Sequence, residues 1–161
     1  MSSLSMRQAL QVACLDIIND AVGPPATGVP YRIKTTATHL ADRPIEDMPH
    51  VVCFVRQKDL GSKEMGTIRE LWSWQIQIYY LDIVEDYSVG ELRRDKITDL
   101  MEVALSDNFR LNNALALIDL EDRSERVYDS DFSSVIYDSS GQDGYYTFVS
   151  ELYLRVDTQR G

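Results

Sequence analysis

Apolar and polar residues alternate strictly from Leu71 to Ile83, the most regular stretch of the chain. The alternation separates an apolar set from a polar set: Trp72, Trp74, Ile76, Ile78 and Tyr80 against Ser73, Gln75, Gln77 and Tyr79. Period two over this length predicts a long β-strand with one buried face. The two tryptophans bring a large apolar area and are expected to anchor the core beneath the helices. The polar set should therefore face water or a polar partner.

A first amphipathic helix is predicted over residues 5 to 22. Its apolar positions recur at helical spacing: Leu10, Ala13, Cys14, Ile17, Ile18 and Ala21. Ser5 and Gln8 have the spacing of a capping box, which satisfies two backbone N–H groups at a helix start. Gly23, followed by two prolines, predicts the end of the helix with a left-handed cap.

A second amphipathic helix is predicted to follow the long strand and to end near Asn108. Ser88 and Glu91 have capping-box spacing. The stripe that follows consists of Ile97, Leu100, Met101, Ala104 and Leu105. Both helices are thus expected to bury one face each against a sheet.

Shorter patterns predict the remaining elements. Strands are expected at Val51–Arg56, Ala114–Leu120, Phe132–Tyr137 and Tyr146–Val156, with an edge strand or extended arm within Tyr31–Leu40. Turns are expected at Asp42–Pro49 and Ser139–Gly144, and seven charged residues in eleven predict a solvated Glu121–Asp131. The order α-β-β-α-β-β predicts one α+β domain over residues 1–161, a mainly antiparallel sheet with two amphipathic helices on one face.

The segment from Gln57 to Glu70 is predicted to be a docking loop. It is longer than a tight hairpin needs, and its apolar residues are isolated among glycine, serine and charged residues. Such a loop gains order on a partner. Its candidate interface residues are Leu60, Lys63, Glu64, Met65 and Ile68. The polar strand face of Ser73, Gln75, Gln77 and Tyr79 is a second candidate, as an interface or a lumen surface.

Composition narrows the class of protein. The net charge of −10 and a pI near 4.6 argue against a protein that grips nucleic acid through clustered Lys and Arg. Cys14 and Cys53 both fall on apolar faces, so buried free thiols are expected rather than a disulfide. No signal-peptide or membrane-spanning run is apparent, which predicts a cytosolic setting without a membrane partner.

Catalytic and cofactor motifs are absent from the sequence, so no catalytic residue, metal ligand or cofactor is expected. His39 and His50 are predicted to be solvated loop histidines, and with Cys53 they match no zinc spacing. The one enzyme-like signal is carboxylates at strand ends: Asp82, Glu85 and Asp86, then Asp119, Glu121 and Asp122. Such groups can hold Mg²⁺ for phosphoryl chemistry. A magnesium-dependent hydrolase is therefore the alternative from another class, although solubility accounts for the acids more simply.

The layout resembles the tail terminator (tail completion) proteins of tailed bacteriophages. The resemblance rests on the first helix, MPHVVCFV, WSWQIQIYYLDI, GELRRDKITDLMEVAL, ALALIDL and YYTFVSELYLRV, and it covers most of the chain. It implies a structural virion protein without catalysis, located in the virion tail and assembled in the host cytoplasm. It further implies a homo-hexameric ring that caps the tail tube, meets neck or connector proteins, and lets DNA pass through its lumen unbound. A neck or head-completion protein of the same class shares this plan.

Overall fold

The computed structural model describes residues 3–60, 70–108, 111–122 and 124–160. Helix α1 (Met6–Val22) is followed by a short strand β1 (Thr35–Ala37), a 3₁₀ turn (Ile45–Asp47) and two long strands, β2 (His50–Leu60) and β3 (Glu70–Val84). Helix α2 (Tyr87–Asp107) and a single helical turn, α3 (Asn112–Leu115), come next. The chain ends with strands β4 (Glu125–Gln142) and β5 (Tyr145–Arg160).

The five strands form one sheet in the order β1-β2-β3-β5-β4. Only β1 and β2 run parallel, and every other neighbouring pair is antiparallel. The predicted α+β class, with two long helices and a mainly antiparallel sheet, is confirmed. The edge strand predicted within Tyr31–Leu40 is β1.

One hydrophobic cluster joins both long helices to a single face of the sheet, hereafter the inner face. It contains Leu10, Ala13, Cys14 and Ile18 of α1, Ile97, Met101 and Leu105 of α2, and Trp74, Ile76, Ile78 and Tyr80 of β3. Leu152, Leu154 and Val156 of β5 complete it, with Phe148 and Ser150 buried in the same phase. The face assignments of β3 and β5 made from alternation are therefore confirmed. Trp72 is the exception, because it is only half-buried and lies outside the cluster.

Helix α2 approaches β5 closely at Gly90, where a β-carbon would overlap the ring of Phe148. Glycine is thus required there by space rather than by backbone conformation. Farther along α2, the Thr98 hydroxyl pairs with the buried Ser150 hydroxyl at 2.7 Å. This contact satisfies Ser150, one of the buried polar side chains that fall in the apolar phase of β5; another, Thr158, accepts a hydrogen bond from Trp74.

The caps of the two long helices agree with the sequence-based prediction in part. Ser5 and Gln8 form the predicted capping box of α1. Gly23 does end α1, but in an extended conformation (φ −86°), so the left-handed cap was wrong. The capping box at Ser88 was also wrong: Asp86 caps α2 by accepting a hydrogen bond from the Val89 N–H (3.3 Å). An aspartate two residues earlier offers the same acceptor and lets the helix start sooner.

Three segments differ from their predicted structure. Residues 114–120 are not a strand: α3 ends there, and only Leu120 makes a bridge, to Leu4. The charged stretch predicted to be solvated becomes strand from Glu125 onwards, and β4 absorbs the predicted turn up to Gln142. The remaining turn is Asp143-Gly144, both with positive φ, as a two-residue hairpin requires. Likewise Gln57–Leu60 belong to β2, not to a loop.

Candidate interaction surfaces

The sheet face opposite the hydrophobic cluster, hereafter the outer face, carries the predicted polar set of β3. Ser73, Gln75, Gln77 and Tyr79 are all half-buried there, side by side along the strand. A polar ladder crosses from β2, because both Gln57 and Gln75 donate to the carboxylate of Asp59, at 2.6 and 3.0 Å. These groups are neutral apart from Asp59. The structure thus places the four candidate residues on one continuous polar surface.

Tyrosine and charged side chains extend this surface onto β5. The Tyr153 hydroxyl donates to Glu151 at 2.8 Å, and this hydrogen bond is the main cause of the raised pKa of Tyr153. The guanidinium of Arg56 lies 5.7 Å from the centre of the Tyr153 ring. Burial, with Glu151 nearby, raises the pKa of Tyr79. Tyr79 and Tyr153 are therefore neutral at physiological pH.

The segment before the 3₁₀ turn covers one end of the outer face. Together with β2 and β3 it forms an open pocket of about 380 Å³, lined by Leu40, Ala41, Asp42, His50, Val52, Tyr79 and Leu81. His50 was predicted to be a solvated loop residue, but it is buried in β2 and its Nδ1 lies 2.6 Å from the Thr35 hydroxyl. Burial and the nearby Arg43 lower its pKa. His50 is thus a neutral residue that ties β1 to β2, while His39 is exposed.

Asp82, the first of the strand-end carboxylates, is fully buried and already paired. Arg93 of α2 donates to both its oxygens, at 2.6 and 2.8 Å, and the Tyr80 hydroxyl donates to it at 3.1 Å. Burial alone would lower the pKa of Arg93, but the hydrogen bonds and charge of Asp82 outweigh it and raise that pKa. Asp86 is engaged as the α2 cap. Within the described ranges, no three His, Cys, Asp or Glu side chains are grouped as metal ligands.

The two cysteines are free and buried, as predicted. They face each other across α1 and β2, and the contact with Cys14, together with burial, raises the pKa of Cys53. Cys53 lies on the inner face and His50 on the outer face of the same strand. The trio considered with His39 therefore has no common site.

Of the predicted docking-loop residues, Lys63, Glu64, Met65 and Ile68 lie outside the described residues. Leu60 is the last residue of β2, and its side chain is 78% exposed. Next to it, the ammonium of Lys58 lies over the rings of Trp72 and Trp74, at 4.3 and 4.5 Å from their centres. Among the described residues, the place where β2 ends and β3 begins thus carries a cation beside apolar side chains.

A second apolar surface was missed by the sequence reasoning, which wrongly placed Leu100 in the buried stripe of α2. Val89, Leu92, Leu100 and Val103 of α2 are all exposed. Their spacing of three, eight and three residues puts them on one side of the helix. The sequence does indicate this surface, because α2 has more apolar residues than one buried stripe requires. Assigning every apolar residue of α2 to a side of the helix would have revealed it.

Comparisons with known proteins find similarity at the level of structure. No protein-family profile matches the sequence, and no curated protein matches it. Among solved structures, the chain is similar to a chain of the virion of a native gene transfer agent particle. The similarity covers 93% of this chain and 90% of that chain, with 9% sequence identity and a TM-score of 0.38. No described helix is long and apolar enough to cross a membrane.

Proposed function

We propose that the chain is a structural virion protein, a tail terminator that forms a hexameric ring as a single domain. The ring caps the head-proximal end of a phage tail tube, stops its polymerisation and joins it to the neck. The observation that carries the proposal is the two-faced sheet. Its inner face is filled by α1 and α2, while its outer face presents the neutral polar row Ser73, Gln75, Gln77 and Tyr79. The first helix, the two long strands, the second helix and the last strand also follow the order of the segments on which the family resemblance rests, whereas ALALIDL is not a strand.

The charge of the protein suits a conduit for DNA. A net charge of −10 repels the duplex, whose own phosphates need clustered Lys and Arg for binding. A ring wall of polar and acidic side chains therefore lets DNA pass without retaining it. The partners in this proposal are further copies of the chain, the tail tube protein and neck or connector proteins. The protein is then part of the virion tail, after assembly in the host cytoplasm.

The disposition of the carboxylates gives the hydrolase alternative no support. A metal-binding site needs carboxylates that converge and are free to coordinate. Asp82 is instead neutralised by Arg93 within the fold, and Asp86 holds the start of α2. A calorimetric titration with Mg²⁺ tests this directly: we expect no stoichiometric binding, and tight binding of one ion per chain would favour the hydrolase.

Negative-stain electron microscopy tests the structural role. Purified protein, alone and mixed with tail tubes, is expected to give six-fold rings and a ring-shaped density at one tube end. Added during tube polymerisation, it should shorten the tubes in proportion to its concentration. Unchanged tube length with no bound density would refute the terminator role. Binding to tailless heads instead of tubes would identify a neck or head-completion protein.

A further inference from the structure

Helix α2 is apolar on two opposite sides. The side that packs in the core carries Gly90, Ile97, Met101 and Leu105, and the opposite side carries the exposed residues Val89, Leu92, Leu100 and Val103, hereafter the α2 stripe. Between Leu92 and Leu100 the stripe is interrupted only by Lys96. A helix that is apolar on both sides is expected to be covered on both sides. The inner side is covered by the sheet, so the stripe indicates a contact with another chain.

A row of carboxylates runs beside the α2 stripe: Glu91, Asp95, Asp99 and Glu102, at spacings of four, four and three residues. Asp95 accepts a hydrogen bond from Arg94, and within the described residues no ion pair is formed by the other three. A partner for this face must therefore offer apolar side chains and a positive charge. A second α2 stripe meets this requirement less well, because it would bring two rows of carboxylates together with only Lys96 of each copy to offset them.

The place where β2 ends and β3 begins supplies a surface complementary to the α2 stripe. Lys58, Leu60 and Trp72, hereafter the strand-end patch, project on the inner face of the sheet. Helix α2 spans about 30 Å, whereas β3 spans about 50 Å. Because α2 starts where β3 ends and runs back over it, the first residues of β3 extend past the helix. The strand-end patch lies at this end of the inner face.

We infer that the strand-end patch of one copy docks on the α2 stripe of a second copy. Leu60 and Trp72 would pack on the stripe, and Lys58 would face the adjacent carboxylates. The contact repeats between chains the helix-on-sheet packing that each chain already makes internally. The contact uses two different surfaces, so it is heterologous. In a pair of copies, one copy still has its α2 stripe free and the other still has its strand-end patch free, and each can bind a further copy.

This docking mode rests on the proposed function, because a ring of identical subunits is built from heterologous contacts that close. To the proposed function it adds which two surfaces are in contact and the charge pairing, Lys58 with the carboxylates of α2, that favours this contact over others. A closed ring, and not a filament, is expected if the rotation from one subunit to the next, applied six times, brings the sixth subunit into contact with the first. The geometry of the contact, and not the sheet edges, would then set the ring size.

Two surface variants test the contact. Leu60→Glu alters the strand-end patch, and Leu92→Glu/Val103→Glu alters the α2 stripe. The matched control is Leu40→Glu/Ile45→Glu, which adds the same charge at positions of similar exposure (59% and 47%, against 57% and 47% for Val103 and Leu92). Each test variant should weaken self-association by at least about 100-fold in sedimentation velocity, since buried apolar contacts are lost. The control should associate as the wild type does.

Mixing the two test variants separates this contact from other arrangements. Each variant alone retains one intact surface, so an equimolar mixture should form heterodimers and nothing larger. Dimers of Leu60→Glu alone would indicate pairing of two α2 stripes and would overturn the inference, as would a wild-type protein that stays monomeric. Circular dichroism of each variant checks that the fold is retained. A further variant, Lys58→Glu, should weaken association, and adding Asp95→Lys/Asp99→Lys should restore it.

The outcome for the contact is distinguishable from the outcome for the proposed function. If the wild type assembles and mixing gives heterodimers, but the assembled protein does not cap tubes, the contact stands and the terminator role fails. If rings cap tubes and Leu92→Glu/Val103→Glu still forms them, the terminator role stands and the contact is wrong.

Discussion

Replacing each tryptophan of β3 separately measures how far the helices cover the sheet. The alternation predicts equal roles for Trp72 and Trp74, whereas the structure buries Trp74 in the core and leaves Trp72 half-exposed beneath Lys58. Trp74→Ala removes a buried aromatic side chain and should lower the free energy of unfolding by about 3–5 kcal/mol. Trp72→Ala removes a side chain that is partly hydrated already and should cost about 1–2 kcal/mol.

The conservative variant Trp74→Phe measures how much the hydrogen bond of the Trp74 indole contributes to the free energy of unfolding. The indole N–H of Trp74 donates to the Thr158 hydroxyl at 2.8 Å, and Thr158 is fully buried. Phenylalanine retains most of the apolar contact but leaves this hydroxyl without its donor. The expected cost is about 1–3 kcal/mol, between the values for Trp72→Ala and Trp74→Ala.

Urea unfolding followed by far-ultraviolet circular dichroism is the suitable assay, because tryptophan fluorescence changes with the substitution itself. All variants are compared at one concentration at which sedimentation shows monomers, since self-association adds stability that depends on concentration. The dependence of the unfolding free energy on urea should stay constant if the fold is retained. Equal losses for Trp72→Ala and Trp74→Ala would refute the placement of the helix layer, and a larger loss for Trp72→Ala would invert it.

Four further predictions follow from the core and the charge. Arg93→Met should cost about 3–5 kcal/mol because it leaves the Asp82 carboxylate buried without its partner, and Asp82→Asn/Arg93→Met should lose less in the same urea assay. Gly90→Ala, which ordinarily stabilises a helix, should here lower the melting temperature, because the added methyl overlaps an aromatic ring of β5. Cys14 and Cys53 should react with a thiol reagent only at the rate of unfolding, and rapid labelling of the native protein would count against their burial. Duplex DNA should not be retained in a gel-shift assay at physiological salt, and a retained band would contradict the proposed conduit.

The sequence alone determined the elements whose side chains repeat a simple period. Strands β3 and β5 alternate because one face packs and the other does not, so both faces could be assigned from the residues. The two long helices were found for the same reason, since each has a continuous apolar stripe. The capping box at Ser5 and Gln8 was predictable because its hydrogen bonds span only three residues.

Tertiary structure decided the elements that depend on a partner. Strand β4 is mostly polar and exposed along most of its length, and it is extended because β5 supplies its backbone hydrogen bonds. Residues 114–120 alternate like a strand, but they have no long neighbour to pair with. Asp82 illustrates the same limit for the candidate site. Its sequence position at a strand end suggested metal binding, and only the fold brings Arg93, eleven residues later, against both of its oxygens.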